Sequence, residues 1–222
     1  TVTLLNRSPI VFAGNSYLSN WCKQFTENVH EVPTAVDLSK FKEKAKEPKH
    51  KFTVGWQGTS SSFEYLKNIE DELKEFFLTH SNCELHVSSD RYPKELTELH
   101  EYIEFKKWNK EDEVSHIQEF DVGIMPIEQD EYSLGKCSYK MLLYLSCGVP
   151  ACVTSWGMNK EILKKGKVGI GVEGENKWNE TLDYFYKNKF NLDEIFPDCR
   201  KVVKDFYSVE SVVRKIENVL RT

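Results

Sequence analysis

Residues 120–157 read FDVGIMPIEQDEYSLGKCSYKMLLYLSCGVPACVTSWG, and this stretch decides the fold. Asp121–Met125 is a short apolar run that ends at Pro126, and it predicts a β-strand because proline cannot continue a central strand. Residues from about Cys137 to Cys147 predict an apolar helix, and Val149–Thr154 predicts a second strand. A strand, a helix and a strand in succession favour two parallel strands joined by a crossover helix.

The same alternation extends in both directions along the chain. Further predicted strands are Phe52–Trp56, Cys83–Val87, Tyr102–Phe105 and Val168–Val172. One predicted helix starts with a capping box at Ser61–Glu64 and has an apolar face from Phe63 to Phe76. Further predicted helices are Lys110–Glu119, Asn159–Lys164, Asn176–Tyr186 and Val209–Leu220. The charged run Lys40–Lys51 predicts an exposed connector. The pattern therefore predicts an α/β fold, with a parallel sheet between layers of helices. Ligands of such sheets bind beyond the carboxyl ends of the strands, so the loops after Trp56, Phe105, Met125 and Thr154 are the candidates.

Composition narrows the class of protein. The chain has 222 residues, of which 40% are hydrophobic and 29% charged, with a formal net charge of -5. This acidic balance disfavours a dedicated nucleic-acid binder. No apolar run approaches the ~18 residues of a membrane span. The six irregularly spaced cysteines predict reduced thiols in a cytosolic compartment, and the start at Thr1 indicates a boundary inside a larger protein.

The loop Gln57–Ser62 is the first candidate anion site. Gly58 lets the backbone approach a ligand closely, and Thr59 and Ser60 begin a run that supplies hydroxyls and N–H groups at a helix start. A helix N-terminus attracts anions. The alternative is an ordinary strand-to-helix turn with a cap.

The second candidate site contains two lysines. Lys136 and Lys140 are four residues apart, which predicts that both lie on one side of the first helical turns. Like charges at this spacing repel, and cations at the positive end of a helix dipole are unfavourable. A bound diphosphate resolves both conflicts, with Ser138 and Tyr139 at the helix start. The alternative is two solvated lysines, and the pattern lacks the glycine and the Ser or Thr of a P-loop.

The remaining candidate residues are an aromatic and an amide side chain after a predicted strand, and the histidines. Trp108 and Asn109 follow a predicted strand, where the ring could stack on a base and the amide could bond its edge, although core packing is the alternative for the tryptophan. The six histidines show no ligand spacing, so no metal site is predicted.

Residues 120–126 and 135–157 resemble the signature region of retaining group 1 glycosyltransferases of the GT-B architecture. Residues 159–163 and 169–172 resemble its continuation, and 13–18 and 32–37 resemble the segments that lead from the first domain into the second. The resemblance implies a Rossmann-like parallel sheet sandwiched by helices, one half of a GT-B two-domain architecture. Residues 1–36 would be the tail of the acceptor domain with the interdomain linker, and 37–222 the Rossmann-like nucleotide-sugar-binding domain.

The implied function is sugar transfer from a nucleoside diphosphate sugar to a glycan or lipid-linked acceptor. The resemblance implies a hexosyltransferase that needs no metal or other cofactor, with the fragment alone turning over little. It also implies polysaccharide biosynthesis in the cytoplasm, with peripheral association of the full-length protein at the inner face of a membrane. The implied catalytic residues are Lys136 and Lys140; the implied donor-binding residues are Gly58, Thr59, Ser60, Trp108, Asn109, Ser138 and Tyr139.

One departure from the family pattern affects ribose recognition. Many members carry two glutamates around the signature helix, and Gly135 and Leu143 stand at those positions here. Tyr144 and Glu161 are the remaining candidates for the ribose contact.

Two other functions stay open at this point. A nucleotide-sugar epimerase of the same architecture predicts histidine and carboxylate partners across the cleft. A flavodoxin-like interaction domain predicts an acidic cluster at the ends of the first and third strands, whereas Gln57–Thr59 and Lys136 favour an anionic ligand.

Overall fold

The computed structural model describes residues 2–43, 51–174 and 177–221, and parallel strands form its framework. In chain order the strands are β1 (Val11–Ala13), β2 (Val29–Glu31), β3 (Phe52–Gln57), β4 (Cys83–Ser89), β5 (Ile103–Lys107), β6 (Val122–Met125), β7 (Ala151–Thr154) and β8 (Gly169–Val172). Strands β1 and β2 pair with each other, and the remaining strands of the described chain form a six-stranded sheet in the order β5-β4-β3-β6-β7-β8. The predicted α/β fold with a parallel sheet is confirmed.

Helices connect these strands and cover the large sheet. The α-helices are α1 (Val2–Leu5), α2 (Ser16–Cys22), α3 (Phe63–Lys67), α4 (Glu70–Thr79), α5 (Glu113–Gln118), α6 (Glu131–Leu134), α7 (Tyr139–Ser146), α8 (Gly157–Leu163), α9 (Trp178–Lys187), α10 (Leu192–Ile195), α11 (Cys199–Val202) and α12 (Val209–Leu220). The apolar run that predicted α7 is fully integrated in the core, since Met141 to Ser146 are all buried.

Small residues in the central strands let helices pack closely on the sheet. At Gly55 in β3, a Cβ atom would lie 1.9 Å from the ring of Phe120, and at Gly123 in β6 it would lie 2.3 Å from the ring of Tyr144. Both rings are fully buried. The close packing brings α7 directly over the junction of β3 and β6.

The segment after β3 differs from its prediction. The face from Phe63 to Phe76 is buried as expected, but the helix is interrupted between α3 and α4. There the buried carboxylate of Glu70 accepts the backbone N–H of Glu98 at 3.1 Å, a contact that local pattern does not predict. The capping box is wrong as well: the Ser61 hydroxyl bonds Thr59, and the flanking Ser62 makes no side-chain cap.

The N-terminal residues form a small unit of their own. Strands β1 and β2 flank α2, and Leu5, Ala13, Cys22 and Val29 make a separate apolar cluster. Val36 then donates its N–H to Tyr207 at 2.8 Å, just before α12. The division between residues 36 and 37 stays a prediction, and positions 44–50 of the predicted connector and Asn176 lie outside the described residues.

Candidate functional site

The candidate site lies where the strand order reverses. Strands β3 and β6 are neighbours at the centre of the sheet, with β4 and β5 on one side and β7 and β8 on the other. Connections leave the two central strands in opposite directions, which opens a crevice at their carboxyl ends. The loop Gln57–Ser60 and the start of α7 meet there.

Lys140 occupies the floor of this crevice. Its Nζ atom lies 5.1 Å from the ring centroid of Trp56, and a Cβ atom at Gly58 would lie 2.4 Å from its Cε atom. The pKa of Lys140 falls to about 8 because burial penalises the charged form and because Lys136 repels it. Gly58 is therefore needed to leave space for this lysine, and the lysine is held in a place that is unfavourable to its charge.

Lys136 reaches the same crevice from a loop and not from the helix. Helix α7 begins at Tyr139, so the prediction that both lysines lie on its first turns is wrong. Ser138 has φ of 51°, a left-handed turn that redirects the chain between them. Lys136 donates to the hydroxyl of Tyr65 at 2.7 Å, and its Nζ atom lies 4.0 Å from that ring centroid. Aromatic partners leave the positive charge available to an anion.

The start of α7 supplies backbone N–H groups in addition to the ammonium groups of the two lysines. Ser138 is 3% exposed and its side chain does not cap the helix, while Tyr139 is 44% exposed at the first position. Burial and the nearby Glu113 raise the pKa of Tyr139. An uncapped helix N-terminus beside two ammonium groups suits a multiply charged oxyanion.

The loop after β3 is already occupied by a carboxylate. Asp90 accepts from the backbone N–H of Ser60 at 2.6 Å and from its hydroxyl at 2.8 Å, and these bonds lower the Asp90 pKa. The Thr59 hydroxyl bonds Ser61 at 2.8 Å. The expectation of a free N–H at Ser60 is therefore corrected: Asp90 fills this position. No local signal marks Asp90 as its partner, because it follows a different strand.

Trp108 presents an open ring at the end of β5. It is 43% exposed, so core packing is not its role, and its Nε1 atom lies 3.4 Å from Glu113. Asn109 is engaged locally, since its amide donates to Asp112 at 2.7 Å and accepts that residue's N–H at 2.7 Å. The sequence did not single out Glu113, which also accepts from Gln57 at 3.2 Å. Glu113 looks like any acidic residue in a first helical turn, so only the fold shows where it points.

Both ribose candidates are engaged by contacts within the chain. Tyr144 is 0% exposed, and its hydroxyl accepts the N–H of Gln57 at 3.0 Å and donates to Ile124 O at 3.4 Å. The expectation for Tyr144 is corrected, because a core hydroxyl between two strands cannot reach a ligand. Glu161 accepts a hydrogen bond from Ser16 in α2, which ties it to the N-terminal unit.

Residues 52–188, more than half of the chain, match the family model for Glycosyl transferases group 1. The chain belongs to this family. Within this group 1 glycosyl transferase chain, the matched residues span β3 to the end of α9 and so include the whole crevice. No curated protein sequence is similar enough to match the chain.

Solved glycosyltransferase structures share the fold of this group 1 chain. It superimposes on TarM with a TM-score of 0.77 at 15% identity, covering 100% of this chain and 45% of that one. For HepE from Anabaena, solved with UDP and glucose, the TM-score is 0.79 at 14% identity, with coverage of 100% and 65%. For sucrose-phosphate synthase from Thermosynechococcus elongatus it is 0.74 at 11% identity, with coverage of 99% and 59%. The chain thus spans about half to two thirds of these related chains.

Two further observations concern metals and membranes. Across the residues that the structure describes, no group of three or more His, Cys, Asp or Glu side chains is arranged to hold a metal ion. Within those same residues, no helix combines the length and the apolar character needed to cross a bilayer.

Proposed function

We propose that this chain forms the donor-binding half of a retaining glycosyltransferase, which transfers a sugar from a nucleoside diphosphate sugar to a glycan or lipid-linked acceptor. The carrying observation is the pair of lysines at the strand crossover. Lys140 is partly buried, repelled by Lys136 and close to the ring of Trp56. Such an arrangement is costly in the free protein and becomes favourable when a diphosphate binds.

The proposed chemistry follows from where charge develops. As the bond between the sugar and the diphosphate breaks, the bond electrons move onto the departing phosphate oxygen. We expect Lys136, Lys140 and the first N–H groups of α7 to lie around the position that this oxygen would take, because preorganised positive groups stabilise such a charge strongly in a site shielded from water. These groups would do the work without a metal ion or another cofactor.

The base and the sugar are proposed from the exposed ring and from the related structures. Trp108 offers a free aromatic face at the end of β5, which supports stacking of a base. A TarM variant has been solved in a complex that contains UDP, and HepE has been solved in complex with UDP and glucose. We therefore choose UDP as the first probe and a hexose as the transferred sugar.

Transfer itself is proposed to require more than these 222 residues. The chain spans 45% of TarM and 65% of HepE. We expect it to bind the donor without efficient turnover. The proposed setting is polysaccharide biosynthesis in the cytoplasm, with the full-length protein held peripherally at the inner membrane face.

Calorimetric titration with UDP, GDP and inorganic phosphate tests the donor site. One nucleoside diphosphate should bind, and Lys136→Ala and Lys140→Ala should each weaken it at least tenfold. Lys177→Ala is the matched control, because it removes one positive charge from an exposed lysine that pairs with Glu180 at 2.7 Å. Equal binding by all three variants, or binding of phosphate alone, would sink the proposal.

A further inference from the structure

The N-terminal unit holds the lysine loop through one buried side chain. Asn15 lies before α2 and is 2% exposed. Its Oδ1 atom accepts the N–H of Leu18 at 2.9 Å and so caps α2. Its Nδ2 atom donates to Leu134 O at 3.0 Å and to Lys136 O at 3.1 Å. One amide therefore joins a helix of the small unit to the loop that carries Lys136.

We propose that Asn15 is a positioning residue for the diphosphate site. Because C=O and N–H of a trans peptide point in opposite directions, fixing Lys136 O toward Asn15 turns the N–H of Cys137 away from it. The left-handed Ser138 follows at once, and a run of N–H groups through such a turn forms an anion-binding concavity. Asn15 thus sets the direction of the backbone N–H groups from Cys137 onward, and it also fixes the backbone position from which the Lys136 side chain extends. This inference rests on the proposed function.

The chemistry of the contact explains why an amide is needed. An asparagine NH₂ group has two donors, and here it meets two carbonyls, while its oxygen is used for the cap. Serine or aspartate would still cap the helix but could not satisfy both carbonyls. Carbonyls left without donors favour a shifted loop, and a shifted loop would move both Lys136 and the N–H groups that follow it.

Neighbouring contacts place the same turn of α2 against the same loop region. At Gly14 a Cβ atom would lie 2.7 Å from the Sγ atom of Cys137, so no larger residue fits without movement. Tyr17 donates to Glu131 at 2.8 Å. The contact is therefore continuous from Gly14 to Tyr17, with Asn15 as its buried centre.

Asn15→Ser in the 222-residue chain tests the inference. It keeps a capping oxygen and removes the amide donors without adding charge. We expect faster hydrogen exchange in peptides that cover residues 134–140 of the free chain, and a Kd for UDP at least tenfold weaker. Asn28→Ser is the matched control, since Asn28 belongs to the same unit and its amide donates to Pro9 O at 2.5 Å, away from the loop. The control should change neither the exchange of residues 134–140 nor the Kd, and Asn15→Asp, which is nearly isosteric, should behave like Asn15→Ser.

The outcomes separate this inference from the proposed function. Unchanged hydrogen exchange of residues 134–140 in both Asn15 variants would show that the Asn15 amide does not hold this loop, and the inference would be overturned. Faster exchange with an unchanged Kd for UDP would overturn the positioning role and leave the donor site intact. If the unsubstituted chain binds no nucleoside diphosphate, the proposed function fails and the role of Asn15 in it fails as well.

Discussion

Replacing Lys140 by methionine is expected to stabilise the chain while it removes a binding group. Burial and Lys136 lower the pKa of Lys140 from 10.5 to about 8. At about 1.4 kcal/mol per pKa unit, this corresponds to a cost on the order of 3 kcal/mol for the charged form in the folded chain. The unfolded chain solvates the ammonium, so the cost is present below pH 8 and disappears as the pH rises toward 10.5. Methionine fills a similar volume beside Trp56 without a charge.

Urea unfolding of the unsubstituted chain and of Lys140→Met at pH 7 and pH 10 measures this effect. The variant should gain up to about 3 kcal/mol in the free energy of unfolding at pH 7 and much less at pH 10, because there the folded chain already carries a neutral Lys140. Lys177→Met, at an exposed position, controls for the loss of a charge. A variant that is less stable at pH 7, or a difference that does not change with pH, would refute the reasoning.

Three more predictions concern binding of UDP, each measured by calorimetry. Affinity should fall about tenfold from pH 7 to pH 9, with about half of the binding ammonium form left at pH 8, because the pKa of Lys140 is about 8 and its ammonium form binds the diphosphate; equal affinity at pH 7 and pH 9 would contradict this. Trp108→Ala should weaken the Kd about tenfold, since stacking on one base contributes roughly 1–3 kcal/mol; an unchanged Kd would exclude stacking on this ring. Gly58→Ala should weaken the Kd at least tenfold and lower the Tm, because its Cβ atom would lie 2.4 Å from Cε of Lys140 and 2.8 Å from the buried ring of Trp56; full retention of binding would show that Lys140 can move without loss.

Local patterns in the sequence were sufficient for the elements of the large sheet. Apolar runs such as Phe52–Trp56 and Asp121–Met125 fall within one or two residues of β3 and β6, because a strand buried on both faces needs a continuous apolar run. The lysine pair was also detectable, since two cations beside a helix start violate simple electrostatic rules. That violation persists in the structure as a lowered pKa of Lys140.

Contacts between distant segments account for what the sequence did not show. Asp90 binds Ser60, Glu113 accepts a hydrogen bond from Gln57 and Asn15 binds Lys136 O, yet each partner lies on a different element. Local periodicity carries no information about such pairs. Tyr144 is a residue for which local pattern predicted a ligand contact that the fold excludes. Its hydroxyl is buried because it bonds the neighbouring strands, and its own helix carries no sign of those bonds.

The position of β3 has a consequence for how the chain folds during synthesis. Strand β3 is made before every other strand of the large sheet, yet it pairs with β4 on one edge and with β6 on the other, and all six of its residues end up buried. Strands β4 and β5 are synthesised before β6. The edge of β3 that later pairs with β6 therefore has no partner for its backbone N–H and C=O groups until α5 and β6 have been made. An unpaired edge of this kind is a template for association with other chains. Substitutions that delay the crossover through α5 should therefore reduce the soluble yield of newly made chains, even where the finished protein is as stable as before.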